Sequence, residues 1–490
     1  MKEELLTAFR EKGLFVTPDA LEAIMAKPEP MKFAAEAMER VAGPWVRKED
    51  LEEKKPEAKK FELNLRKAFN PAAKEIAAEV NVFDEQDVTG KSTSEGKVGD
   101  FVALFRDRYE ALAKILRVRG NMARDIETVK KKRLGDDVRV IGMVSSINTT
   151  KNGHRLMELE DLGGSLKVLF PKSDKAMVEF SQNIIPDEVI AVEGKMSKEL
   201  FICKQVYRPD VAMREPNRTE EDIYVALLSD MHIGSKLFME TQFQKFIEWI
   251  NGGGKQSELA GKVKYITIAG DLVDGVGVYP GQEDELATDD IFKQYEQLQF
   301  YLKQIPDYIE MVAIPGNHDA VRVAEPQPAL SKEVLGPLND MSNFTCIGSP
   351  GYVSLHGFEV MLYHGASIHG IVPHTNNVNY ERPETVITEW IKRRHLHPVY
   401  GEKPPIVPEK KDYMVMRKVP DLLHVGDVHR NGYTTHRGVI GINSGCWQSV
   451  TPYQVKLGHH PTPCVLPLVS LRSGKITILK FIEPKGGGAK

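Results

Sequence analysis

The sequence predicts a mixed α/β and β fold in three structured parts: an N-terminal helical module, a small β-barrel, and a larger α/β sandwich toward the C-terminus. Three observations carry this expectation. Apolar runs at Ile223 to Leu228, Val263 to Ala269, Glu310 to Ile314, Glu359 to Tyr363 and Leu422 to Val425 alternate with helical patterns over Thr241 to Ile250 and Asp289 to Gln304, which suits strands buried on both faces under covering helices. Between Asp136 and Asp210 the texture changes to short alternating strands with turn residues. The first 44 residues carry helical signals.

In chain order, Leu5, Leu6 and Phe9 fall at helical spacing before a Gly13 stop, and Thr17-Pro18-Asp19-Ala20 has the form of an N-cap with proline at the first helical position. Residues 1–44 are therefore a small helical module, suited to protein contact. Residues 45–134 are expected to form a charged linker, flexible in part, because Arg47 to Lys60 is dominated by charge and Thr89 to Lys97 by Gly, Ser and Thr; a helix is expected from Gly99 to about Lys132. In residues 135–210 the strands Val138 to Ile147, Arg155 to Leu159, Leu166 to Phe170, Val189 to Lys195 and Leu200 to Tyr207 are separated by turns, one of them Asn152-Gly153, a hairpin signal. Five strands in so short a span look like an OB-fold barrel. Its aromatics are few (Phe170, Phe201, Tyr207), so a structural or subunit-contact role is at least as well supported as stacking on single strands. Residues 218–485 form the last domain.

At 490 residues the chain exceeds what one hydrophobic core organises. Cys203, Cys346, Cys446 and Cys464 lie far apart without Cys-x-x-Cys spacing, which points to buried thiols and away from a disulfide framework or zinc knuckle. No apolar run approaches the ~20 residues needed to span a bilayer, and Met-Lys-Glu-Glu is no signal peptide, so no membrane association and a cytoplasmic location are expected. The net charge of −4 does not advertise nucleic-acid binding, which would have to come from local patches such as Lys130-Lys131-Lys132-Arg133, Lys392-Arg393-Arg394-His395 or Lys410-Lys411.

The chemistry is concentrated just after the apolar runs. Ser229-Asp230-Met231-His232, Gly270-Asp271-Leu272-Val273-Asp274, Gly316-Asn317-His318-Asp319, Tyr363-His364-Gly365 and Gly426-Asp427-Val428-His429 follow one another, with Asn443-Ser444-Gly445 behind the last. In α/β sheets, sites form at the carboxyl ends of strands, so these patches should converge on one pocket. Histidine, asparagine and aspartate are borderline-to-hard ligands, suited to Mn, Fe or Zn in two-metal phosphoester hydrolysis, where one carboxylate is shared.

This constellation resembles the calcineurin-like metallophosphoesterase superfamily, whose pattern runs D-x-H, G-D-x-x-D, G-N-H-[DE], H, G-H-x-H. The resemblance implies an α/β phosphoesterase sandwich in which Asp230, His232 and His429 hold the first of two divalent ions and Asn317, His364 and Asp427 the second, with Asp271 bridging. It implies that His318 faces the scissile phosphate, with Asp319 orienting its ring. Mn is the expected ion, with Mg, Fe or Zn possible. One position departs from the pattern, since Asp427 stands where the superfamily has the first His of its last motif. Aspartate still ligates a hard ion and shifts preference toward Mn or Mg; the alternative is a hydrogen-bonded loop residue beside a weak second site.

Longer strings narrow the resemblance: GNHDAVRVAEPQPAL from Gly316, MHIGSKLFMETQF from Met231, and RKVPDLLHVGDVHRNGY, VIGINSGCWQ and HPTPC between Arg417 and Cys464. These are similar to the small subunits of archaeal family D DNA polymerases, from about Asp136 onward. The resemblance implies a 3′-to-5′ proofreading exonuclease acting on single-stranded or mismatched 3′ ends of DNA, partnered by a separate large catalytic subunit. A scaffold subunit without strong catalysis and a standalone phosphodiesterase are the alternatives. Gly252 to Lys255 and Gly90-Lys91-Ser92 lack phosphate-loop spacing and are expected to be a helix-ending turn and linker; His369, His374, His395 and His397 are expected to be plain surface, with a place along the substrate channel as the alternative.

Overall fold

The computed structural model describes residues 2–28, 30–40, 45–51, 69–118, 122–132 and 137–482. The chain divides into two compact units, residues 1–63 and 64–490. In the first, helices Lys2–Glu11, Pro18–Met25 and Pro30–Arg40 enclose Leu5, Phe9, Leu21, Ile24 and Val46, and β1 (Phe15–Val16) pairs in parallel with β2 (Trp45–Val46). Thr17 is the extended N-cap ahead of Pro18, as its sequence suggests. The charged run beyond Leu51 lies outside the described residues, as does Arg133 of the first basic patch.

The second unit corrects the linker expectation from Phe69 onward. β3 (Val80–Val82) is a sandwich strand, Ala73 sits in the sandwich core, and the buried Asp87 carboxylate accepts the Gly348 backbone N–H at 2.9 Å. The polar run after it is held by hydrogen bonds to the sandwich: Thr89 Oγ1 accepts from Ala329 N at 2.8 Å, and Ser92 Oγ meets Arg322 and Glu409. Polarity that looked like solvation serves contacts made more than 200 residues away. The expected helix is divided into Val98–Arg117 and Ile126–Lys132, with β4 (Ala123–Arg124) between them. Arg108 of the longer helix is fully buried, donating to Asp412 Oδ2 at 2.7 Å and to the Pro398 carbonyl at 2.8 Å.

A five-stranded barrel follows, from β5 (Val138–Thr149), β6 (Arg155–Asp161), β7 (Gly164–Phe170), β8 (Val189–Ser197) and β9 (Leu200–Tyr207), in order β5-β6-β7-β9-β8 and closed by β8 on β5. Val140, Met157, Val168, Ile190, Phe170 and Phe201 fill it. Two of its three strand aromatics are thus core, and Tyr207 is half-buried under the Arg139 guanidinium.

The sandwich is built from β10 (Tyr224–Leu228), β11 (Val263–Ala269), β12 (Glu310–Ile314), β13 (Phe344–Cys346), β14 (Gly351–Leu355), β15 (Phe358–Tyr363), β16 (Leu422–Val425), β17 (Asn431–His436), β18 (Val439–Ser444), β19 (Val465–Ser470) and β20 (Ile476–Lys480). One sheet runs β13-β12-β11-β10-β19-β20 and the other β17-β18-β16-β15-β14-β3. Between them Val225, Leu227, Tyr265 and Ile314 meet Val353, Val360, Leu422 and Ile442. The alternate residues Met361, Tyr363, Leu423 and Val425 pack outward on Ile387, Trp390 and Ile391 of helix Pro383–Arg393, so the continuous apolar runs belong to strands covered on both faces. The neighbours β10 to β13 are parallel, as are β15, β16 and β18, so their carboxyl ends gather on one rim.

The basic patch at Lys392 to His395 is largely internal, a correction to its reading as a candidate DNA contact. Arg393 donates to Glu188 at 2.7 Å and Arg394 to the Met416 carbonyl at 2.8 Å, both side chains buried. Gly252 follows the end of helix Glu240–Ile250 at φ 89°, the helix-ending turn expected. Among the described residues no helix is long and apolar enough to cross a membrane.

Candidate active site

The loops leaving β10, β11 and β16 turn sharply. Asp230 (φ 49°), His232 (φ 50°), Asp271 (φ 49°), Asp427 (φ 72°) and His429 (φ 56°) all occupy the left-handed region that non-glycine residues seldom visit, a strain that folds maintain at functional sites. The turns pack closely: a Cβ on Gly316 would lie 2.2 Å from Asp271 Oδ1, and one on Gly426 2.5 Å from Asp230 Oδ2. Behind them, Asn443 Nδ2 donates to the Gly426 carbonyl at 2.6 Å and Ser444 Oγ to Ser229 Oγ at 2.7 Å, tying the two sheets' loops together.

Seven of the predicted residues converge as two overlapping donor sets. In the first, His232 Nε2 lies 3.0 Å from His429 Nε2 and 3.6 Å from Asp271 Oδ2, and His429 Nε2 lies 3.6 Å from Asp230 Oδ1. The far ring nitrogens are engaged elsewhere: His232 Nδ1 donates to Asp274 Oδ1 at 2.9 Å, and the Gln454 amide donates to His429 Nδ1 at 2.8 Å. In the second set, three oxygens surround His364 Nε2: Asn317 Oδ1 at 2.9 Å, Asp271 Oδ2 at 3.4 Å and Asp427 Oδ1 at 3.7 Å. His364 Nδ1 donates to the Ala269 carbonyl at 2.8 Å, so a neutral ring turns its Nε2 lone pair toward oxygen lone pairs. Only a proton or a cation among these atoms relieves that repulsion, and a divalent ion fits the donor set. Asp271 Oδ2 belongs to both sets. Asp427 Oδ2, although buried, makes no hydrogen bond, and its nearest cationic neighbour is His369 Nε2 at 3.3 Å.

The electrostatics follow from crowding. Burial, with the Asp271 charge added, pushes the Asp230 carboxyl up to about 8 against the pull of His364 and His232. Burial disfavours the charged ring of His232, but the Asp274 hydrogen bond and the charges of Asp271, Asp274 and Asp230 lift it to about 9. For His364 burial is likewise outweighed, chiefly by Asp271, and its pKa is raised well above the ordinary value. His429 is held well below the ordinary value by burial and by His232 beside it. Burial opposes the charged forms of Asp271 and Asp427 as well, yet the surrounding histidines keep both below the usual carboxylate range. Without metal, protons thus supply the positive charge that three clustered carboxylates require.

His318 stands at the wall of the first set, its ring edge-on to His232 at 4.6 Å between centroids. The Asp274 carbonyl accepts from its Nδ1 at 2.8 Å, and burial lowers its pKa. Asp319 does not orient this ring, contrary to the expectation. Its carboxylate accepts from the backbone of Gly316 (2.8 Å) and Leu272 (3.2 Å) and from Tyr295 Oη (3.0 Å), pinning the β11 and β12 loops to each other. Asp274, the last residue of the Gly270 to Asp274 patch, does the orienting.

The rings and carboxylates open into a cleft of about 510 Å³. Tyr279, His369, Tyr380, Lys403 and His459 also line it, and of these only His369 carried a signal in the sequence. Tyr279, Tyr380 and His459 come from three loops with no motif, joined only by folding. His374 is half-buried and 2.7 Å from Glu402. His395 and His397 correct the surface expectation: both are buried, bonded to Asp412 at 2.9 Å and Glu325 at 2.7 Å.

Comparison with known proteins gives the family. Residues 225–434 match the family model for the B-subunits of DNA polymerases alpha and epsilon. The DNA polymerase II small subunit of Methanocaldococcus jannaschii is 41% identical over 405 residues, 81% of this chain and 68% of that protein. The chain belongs to the archaeal DNA polymerase II small subunits. The small subunits of Methanothermobacter thermautotrophicus and Pyrococcus furiosus are 38% and 37% identical over 398 and 454 residues, covering 81% and 88% of this chain and 82% and 74% of their own lengths. The family-model match runs from within β10 past His429, so all the predicted site residues fall inside it.

Proposed function

We propose that this chain is a 3′-to-5′ exonuclease subunit that removes nucleotides from single-stranded or mismatched 3′ ends of DNA, in complex with a large catalytic polymerase subunit, using a calcineurin-like sandwich and an OB-type barrel. The carrying observation is Asp271 Oδ2, 3.6 Å from His232 Nε2 and 3.4 Å from His364 Nε2, as a carboxylate shared between two metal ions requires. Asp230, His232 and His429 would hold one divalent ion with Asp271, and Asn317, His364 and Asp427 the other. The absence of thiolate and the three carboxylates favour Mn, with Mg, Fe or Zn also accepted. Two such ions supply Lewis acidity toward a phosphodiester and a nucleophile at neutral pH. His318 is fixed by its Nδ1–H to the Asp274 carbonyl, which leaves Nε2 for the substrate. Burial keeps the free ring neutral at neutral pH, and the negative charge of an incoming phosphate favours its protonation, which readies it to donate to the leaving oxygen.

The substitution of Asp427 for a histidine favours a second reading, a scaffold subunit with a weak second site. A 5′-labelled single-stranded oligonucleotide incubated with the full chain and Mn²⁺ separates the two. The proposal expects a ladder shortening from the 3′ end and abolished by EDTA. An intact oligonucleotide, shortening from the 5′ end, or digestion that persists in excess EDTA overturns it.

A further inference from the structure

Tyr380 and His459 stack in the cleft wall with centroids 5.1 Å apart and planes at 26°, and the His369 ring lies 5.3 Å from Tyr380 at 38°. His369 lies on the short helix Ile368–Ile371 and Tyr380 and His459 on two loops, and the rings extend from the second donor set outward: His369 Nε2 is 3.3 Å from Asp427 Oδ2, and its Nδ1 is 3.4 Å from Tyr380 Oη. The His369 side chain is 42% exposed, and Tyr380 and His459 are half-buried, so the group is neither core nor loose surface. Lys403 lines the same cleft. A run of rings leading away from a candidate phosphoester site, with a cation nearby, matches what an unpaired nucleotide presents: a flat π-face joined to a phosphate. In the barrel, by contrast, Phe170 and Phe201 are spent on the core. None of these rings has a task in positioning the donor sets except His369 through Asp427.

We infer that the Tyr380–His459 stack, edged by His369, seats the unpaired terminal base of a single strand, with Lys403 beside its backbone, and so positions the strand for cleavage. This rests on the nuclease reading of the same site. Base–aromatic stacking tolerates every base because each has a π-face, which suits an enzyme that removes whatever nucleotide is unpaired. A paired terminus keeps its last base in the helix, so the seat discriminates frayed from paired ends.

The test compares two single-stranded DNA oligonucleotides, one with an intact 3′-terminal nucleotide and one whose last residue is abasic. Binding is measured by fluorescence anisotropy in excess EDTA with the full chain. Wild type should prefer the intact strand by about 10-fold, the scale of one stacked base. Tyr380→Ala should abolish the preference by weakening only the intact strand, and Tyr380→Phe, which keeps the ring, should restore most of it. With Mn²⁺, Tyr380→Ala should raise KM for the intact strand about 10-fold while kcat changes little. Equal wild-type affinity for the two strands, no binding to either, or a Tyr380→Ala loss shared by both overturns the inference. A preserved binding preference without Mn²⁺-dependent digestion would instead refute the nuclease reading and leave the seat standing.

Discussion

Replacing Asp427 with asparagine tests the second donor set with little structural cost. The residue sits at φ 72°, where alanine would carry a left-handed penalty of ~1–2 kcal/mol and confuse the reading, whereas asparagine tolerates that region and keeps the shape. Its backbone N–H, which donates to both Asp230 carboxylate oxygens at 3.0 and 3.1 Å, is untouched. Lost is one negative charge, 3.7 Å from His364 Nε2 through Oδ1 and 3.3 Å from His369 Nε2 through Oδ2. Outer-shell partners of metal sites are worth about 10–100-fold in affinity, and a charged group in the donor set should be worth at least that, ~1.4–2.7 kcal/mol. Calorimetric Mn²⁺ titration of the metal-free full chain should therefore show two sites in wild type. In Asp427→Asn the weaker one should fall by 10-fold or more and the tighter one should stay nearly unchanged. Asp427→His should retain both and shift preference toward softer ions. Identical titrations of wild type and Asp427→Asn would refute the role of Asp427 as a ligand and return it to a loop residue.

His318→Ala should keep two bound ions yet lose roughly 10²-fold in kcat on single-stranded DNA, the usual weight of general acid help; a fully active variant would remove His318 from the chemistry. His424 is buried between Thr267 Oγ1 and Ser444 Oγ, and burial pushes its pKa down to about 3. The unfolded chain therefore takes up that proton first, near pH 6.5, so the contribution is fully present above this value and lost as pH falls, about 2 kcal/mol by pH 5. The pH 7.5-to-5 loss of chemical stability should shrink by that amount in His424→Gln, and an unchanged loss counts against it. Asp412→Ala strands the buried Arg108, leaves His395 without its partner, and should destabilise by about 3–5 kcal/mol in urea unfolding, whereas Arg108→Met with Asp412→Leu, which removes the stranded charge, should recover part of the loss. A double variant no better than Asp412→Ala would show that the stranded Arg108 charge is not the source of the loss.

The apolar runs and the motifs after them were legible because each acts locally. A strand covered on both faces is mostly apolar, as at β11 and β16, whose buried polar members Thr267 and His424 bond each other, and the residues at its carboxyl end inherit their place from it. What escaped detection depends on distant partners. The polar Thr89 to Lys97 stretch has a linker's composition, yet Thr89 and Ser92 are bound to Ala329, Arg322 and Glu409, and no local pattern encodes that. Arg393 and Arg394 resemble a surface patch until Glu188 and the Met416 carbonyl bury them. Asp319 shows the limit of the resemblance, which implied a partner for the His318 ring, whereas its carboxylate accepts from the Gly316 and Leu272 backbone.

The two donor sets also divide unequally between the sheets. Asp230, His232, Asp271 and Asn317 follow β10, β11 and β12 of one sheet, while His364, Asp427 and His429 follow β15 and β16 of the other. Each set therefore takes donors from both sheets, and its distances depend on how the sheets pack through Leu227, Ile314, Leu362 and Ile442. Distances of 3.4 and 3.6 Å between donor atoms of the two sheets leave little room for slippage at this interface, because a bound cation would have to satisfy both sides at once. A core substitution that shifts one sheet should thus impair metal binding before it unfolds the chain. Conversely, metal binding should strengthen the sheet contact, since an ion that binds only the folded arrangement stabilises it. If two dications bind as proposed, three carboxylates (Asp230, Asp271 and Asp427) would face them, one more than the metallophosphoesterase pattern supplies, which would trade Lewis acidity for grip on hard ions.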